Sequence, residues 1–117
     1  MAFQALLDRL VDSVNGAQGA VLMDATGEVV FEAGDGAERH RLIGAYQGIA
    51  LMRLRDADER FDIGGVRHVY SRYRDGQVIL RPLKDGYYLV LSLAPGANVG
   101  QALFRSAQTR ERLDAEL

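Results

Sequence analysis

Apolar residues near the amino terminus recur with helical spacing. Phe3, Leu6, Leu7, Leu10, Val11 and Val14 fall at i, i+3, i+4, i+7, i+8 and i+11, which is one stripe of a helix. Asn15-Gly16 tolerates left-handed backbone and ends it. GAVLMD then reads as a short strand, Asp24-Ala25-Thr26-Gly27 as a turn and EVVFEAG as a second strand. The first of this pair is almost wholly apolar, so it is predicted to lie inside a sheet.

The period changes after Gly34-Asp35-Gly36. AERHRLIGAYQGIALMRLR runs without proline for about five turns, predicting a second helix from about 36 to 55. DADERFDIGG is polar, ends in two glycines and reads as a loop. VRHVYSRYR, QVILRPL and YYLVLSL are strands rich in β-branched and aromatic residues. Asp75-Gly76 predicts a tight hairpin between the first two, and Lys84-Asp85-Gly86 joins the second to the third. Asn98 is placed to cap a last helix with apolar Val99, Ala102, Leu103, Ala107, Leu113 and Leu117. The order is α-β-β-α-β-β-β-α. Tight turns between neighbouring strands make the pairing antiparallel. The fold class expected is α/β (α+β), a three-layer α/β/α sandwich around a five-stranded sheet.

Composition narrows the chemistry. At 117 residues the chain is about one domain long, with 48% hydrophobic and 26% charged residues. It has no cysteine, which excludes disulfides, thiolate metal sites and cysteine nucleophiles, and only two histidines. A net charge of −2 argues against a general nucleic-acid binder or an anionic-membrane binder. The amino-terminal MAFQALLDRLVDS carries acids early and does not read as a signal peptide, so a cytoplasmic location is expected. Thirteen of the fourteen cations are arginine, which reads as coding bias.

Charge is uneven along the chain. Residues 1–35 carry one cation, Arg9, against six acids. Residues 36–55 carry Arg39, Arg41, Arg53 and Arg55 against Glu38 alone, and residues 63–81 carry Arg67, Arg72, Arg74 and Arg81 against Asp75 alone. These are either solvated faces or, if the two segments fold side by side, one basic partner surface.

The second helix is over-supplied with apolar residues. On a wheel, Leu42, Ile43, Ala45, Tyr46, Ile49, Ala50, Met52 and Leu54 cover an arc of about 200°, whereas a helix on a sheet needs a stripe of roughly 100°. Gly44 and Gly48 share the remaining face, each costing about 0.8–1.0 kcal/mol against alanine. Such a pair signals close backbone approach, to another helix or to the protein's own sheet. VRHVYSRYR, if it is an edge strand, either invites pairing or uses its arginines to prevent it.

The element order resembles the Roadblock family, named from dynein light chains and including the bacterial MglB-like regulators of small Ras-like GTPases. The phrases carrying the resemblance are LLDRLVDSVNGAQGAVLMDATGEVV, LIGAYQGIALMRLR and KDGYYLVLSLAPGANVGQALFRSAQ. It covers nearly the whole chain and rests mostly on core positions and turn glycines. It implies a single Roadblock-like domain over 1–117. It also implies a homodimer, or a pair with a paralogous Roadblock protein, joined through the second helix and the third strand. Gly44, Gly48, Leu51, Val69, Ser71 and Tyr73 are the interface residues this points to. Family members bind small GTPases or act as scaffolds in motor and signalling complexes. Some MglB-like members accelerate GTP hydrolysis by repositioning the partner's own residues.

No catalytic constellation is legible. Glycine loops with the phosphate-cradling spacing and its lysine are missing, so the chain is not expected to bind GTP itself. Asp56, Asp58, Glu59 and Asp62 only loosely resemble a calcium loop and read as a solvated one. His40 reads as an exposed polar residue, and no cofactor or metal is expected. The reading is therefore a non-catalytic homodimeric regulator or scaffold of a small Ras-like GTPase, with Arg39, Arg41, Arg53 and Arg55 as partner contacts. The alternatives are a small-ligand sensing domain, a passive scaffold subunit, or a nucleic-acid-binding dimer using the same arginines.

Overall fold

The computed structural model describes residues 2–117, and its elements follow the expected order. They are α1 (Ala2–Ser13), β1 (Ala17–Met23), β2 (Val29–Gly34), α2 (Ala37–Phe61), β3 (Val69–Tyr73), β4 (Gly76–Pro82), a 3-10 turn (Lys84–Gly86), β5 (Tyr88–Leu93) and α3 (Val99–Glu116). The strands form one antiparallel sheet in the order β2-β1-β5-β4-β3. β1 is internal, between β2 and β5, and the two halves of the sheet join through pairs such as Ala20↔Leu91.

Alternation along β1 explains its apolar run. Ala20 and Leu22 join the core beneath α1 and α3, with Leu7, Leu10, Leu91 and Leu113. Val21 and Met23 point the other way, into the core beneath α2, with Leu51, Leu80 and Val90. Both faces of this strand are buried, so nothing polar interrupts it. Three layers result: α1 and α3, the sheet, and α2.

Local signals hold where they depend on one residue's chemistry. Asn98 Oδ1 accepts a hydrogen bond from the Gln101 amide at 3.0 Å, an N-cap of α3. Asn98→Ala is expected to cost about 1 kcal/mol, measured as a lower urea midpoint with an unchanged slope. Gly16, at φ 91°, makes the turn out of α1.

Three boundaries differ from expectation. α2 runs to Phe61 instead of stopping near 55, because the acidic run contains no helix breaker. It closes at Asp62, whose amide donates to the Asp58 carbonyl at 2.7 Å. Asp58 Oδ1 also accepts from the amides of Ile63 and Gly65. Asp56, Asp58 and Glu59 are thus helical and not in a loop. β3 covers only Val69–Tyr73, leaving Val66, Arg67 and His68 outside the ladder. The β3–β4 turn is Arg74-Asp75, since Gly76 already pairs with Tyr73. Among the described residues, no helix is long and apolar enough to cross a membrane.

Candidate functional site

The buried residues of α2 form one narrow row: His40, Gly44, Gln47 and Leu51. This row lies across β1, with flanking contacts to β2 and β5. The two glycines belong to that seating. A Cβ on Gly44 would meet Met23 Sδ at 3.0 Å and Val21 Cγ2 at 3.1 Å, and one on Gly48 would overlap the Tyr88 hydroxyl. That hydroxyl donates to the Gly44 carbonyl at 3.1 Å. Burial, with Asp24 adding to it, raises the Tyr88 pKa and keeps the phenol a neutral donor.

Gly44, Gly48 and Leu51, expected at a subunit interface, all face the sheet within the single chain. The close approach is to the chain's own sheet, and Leu51 is 2% exposed in the core beneath the helix. His40 also departs from expectation, being 4% exposed. Gly19 opposite it has no Cβ, and the imidazole fills that space. Its Nε2 lies 2.6 Å from the Asp35 carbonyl oxygen, which can only accept, so Nε2 carries the proton.

With the glycine row turned inward, the opposite face of α2 comes into view. Arg39, Leu42, Tyr46, Ile49 and Arg53 recur at intervals of 3, 4, 3 and 4, a straight outward seam. Leu42, Tyr46 and Ile49 are 58%, 72% and 55% exposed. An arginine closes each end. This spacing was visible in the sequence, but the wide apolar arc merged it with positions that serve the core.

Beside the seam, α2 leaves the β3 edge of the sheet open, and a groove of about 820 Å³ runs between the helix and the β3–β4 hairpin. Leu42, Ile43 and Tyr46 form its helical wall, and Tyr73, Gly76 and Val78 its sheet wall. Gln47 lines it too, with a buried Oε1 that has no hydrogen-bond partner. Register places Val69, Ser71 and Tyr73 on this same face, opposite Leu80, Val78 and Gly76. β3 is an edge strand, so one line of its backbone groups is free of sheet partners. The seam, the groove and the open edge are continuous.

The four α2 arginines divide. Arg39 and Arg53 stand on the seam. Arg41 is turned toward β2, where its Nε donates to Glu32 Oε2 at 2.8 Å. That hydrogen bond, with the attraction of opposite charge, holds the Glu32 carboxyl below its ordinary range and raises Arg41. Arg55 lies on the sheet side, in a cleft with Gly86 and Tyr88. No group of three or more histidine, aspartate or glutamate residues among the described residues could hold a metal ion. What the surface offers is apolar area, a strand edge and two flanking cations, the chemistry of protein association.

Known proteins share the fold. The model of the Roadblock/LC7 domain matches residues 3–92. Among solved structures, a Roadblock/LC7 domain from Streptomyces avermitilis is 21% identical, with a TM-score of 0.87 over 97% of this chain and 96% of that one. Myxococcus xanthus MglB is 14% identical, with a TM-score of 0.88 over 98% and 94%. MglC from Myxococcus xanthus is 29% identical, with a TM-score of 0.71 over the full length of both. No curated protein matches the chain. An α-β-β-α-β-β-β-α order, a sheet ending in an open β3 and a family model spanning most of the residues agree: the chain belongs to the Roadblock/LC7 domain family.

Proposed function

We propose that this chain is a non-catalytic dimeric regulator or scaffold of a small Ras-like GTPase. The observation that carries it is the outward seam of α2, continuous with the groove and the β3 edge. A second copy supplies the same features in mirrored order, as a two-fold interface requires. Pairing α2 to α2 buries Leu42, Tyr46 and Ile49, and β3 to β3 satisfies the free strand edge. Val69, Ser71 and Tyr73 then lie at the junction. Arg39 and Arg53 emerge at the ends of the paired helices, where they suit a partner rich in carboxylates. Arg41 and Arg55 contribute less, because each is turned toward its own sheet. Similarity to MglB and MglC supports the regulatory reading.

The test uses small GTPases from the same genome, loaded with GDP or a non-hydrolysable GTP analogue. The parent dimer is expected to capture one of them. Reversing Arg39 and Arg53 together to glutamate should leave the dimer intact and weaken capture by roughly tenfold or more in a titration. Unchanged affinity would move the GTPase contact to another face. GTP turnover measured with and without the dimer separates an activator from a passive scaffold.

A further inference from the structure

On the face opposite α2, between the end of β4 and the last turns of α3, lies a cleft of about 390 Å³. Alternation along β4 sends Val78 and Leu80 toward α2 and Arg81 beneath α3. Arg81 Nε donates to Ser106 Oγ at 2.9 Å, and its Nη2 donates to the Leu103 carbonyl at 2.8 Å. Both acceptors are neutral. Arg81 makes no ion pair among the described residues. Burial lowers its pKa, and the like charge of Arg110 adds to the effect.

Arg110 is anchored in the same way, its Nε donating to the Pro82 carbonyl at 3.0 Å. Its Nη2 stands 3.7 Å from Asp114 Oδ2. Asp114 is already engaged, since its Oδ1 accepts from the Lys84 amide at 2.8 Å. Arg67 and Lys84 complete the cationic lining, against Glu111 and Asp114. The cleft thus holds an excess of two positive charges in a chain of net charge −2.

Arg81, half-buried and held only by neutral acceptors, loses solvation without gaining an opposite charge in return. Two neighbouring guanidinium groups repel as well. A doubly charged anion between them removes both penalties. We propose that this cleft binds the phosphate group of a small phosphorylated molecule, gripped by Arg81 and Arg110. Guanidinium forks match phosphate oxygens in pairs, which a lysine point charge does not. Anchoring through each Nε leaves Nη1 of both arginines free and already oriented, so little side-chain freedom is lost on binding. The small volume and polar lining favour a compact ligand over a polymer or an apolar one. This site is independent of the α2 surface and of the GTPase reading.

The experiment is a calorimetric titration of the full chain with inorganic phosphate and with pyrophosphate, at constant ionic strength set with chloride. Phosphate should saturate a site with Kd of about 1 mM, and pyrophosphate should bind more tightly. Arg110→Gln should weaken both about tenfold, and Lys84→Gln about threefold. Arg53→Gln, on α2, should change nothing. Phosphate should also raise the thermal midpoint of the parent more than that of Arg110→Gln. Arg81→Met should abolish binding; if that variant fails to fold, Arg110→Gln and Lys84→Gln decide. Absence of saturation, equal affinity in Arg110→Gln, or an equal loss in Arg53→Gln would each overturn the proposal.

Discussion

Gly48→Leu is expected to destabilise the protein by about 3 kcal/mol, read as a large fall in the urea midpoint. A Cβ at this position would stand 2.8 Å from the Tyr88 ring carbon Cζ and overlap its hydroxyl. The ring cannot step aside. Tyr88 is 3% exposed, sits in β5 and is tied to the Gly44 carbonyl. The helix must therefore lift off the sheet, which opens space around Val21, Met23 and Leu51. Tyr88→Phe alone should cost about 1 kcal/mol for the lost hydrogen bond. In combination with Gly48→Ala it should recover part of the alanine's cost, because the overlapping oxygen is gone. If Gly48→Leu unfolds at the parent's midpoint, α2 is not seated as described.

Tyr46→Glu should act on assembly and leave the fold alone. Its side chain is largely exposed in the single chain, so the helix keeps its packing and its circular dichroism. In the proposed dimer each carboxylate enters the middle of the apolar seam, where its neighbours one turn away are Leu42, Ile43, Ile49 and Ala50 and no cation is in reach. An unpaired buried charge there costs at least about 3 kcal/mol, more than a hundredfold in the dissociation constant. Light scattering at micromolar concentration should change from the mass of a dimer to that of a monomer. A variant that remains dimeric would leave the β3 edge as the main contact and remove the seam from it.

How much of this was legible beforehand depends on the range of the interaction. The stripe of α1, the apolar run of β1 and the cap at Asn98 are written in neighbouring residues, and the structure follows them. The glycine pair on α2 announces close approach without naming what approaches. Its partner, Tyr88, is supplied by β5, far along the chain. His40 reads as polar and exposed until Gly19 is placed opposite it, when the missing Cβ makes room for the ring. Arg41 reads as free until β2 brings Glu32 alongside. Composition also misled at residues 56–61, where acidic residues resemble a loop but nothing in them breaks a helix. The outward seam has a signal in the sequence, since Leu42, Tyr46 and Ile49 follow a coiled-coil spacing, but it goes unread because the wide apolar arc merges them with the inward row until the sheet is placed.

The inward row of α2 ends at Leu51, and Met52–Phe61 contain no fully buried residue. Those ten residues extend about 15 Å past Leu51, with Arg55 still turned toward Gly86 and Tyr88. Phe61 is 70% exposed and Ile63 77%, so this stretch ends in an apolar tip. It is held by its own helical hydrogen bonds and by the Asp58 carboxylate that closes it, instead of by a core. Amide exchange is therefore expected to be faster there than along the buried row, so the helix has a firm half and a loose one.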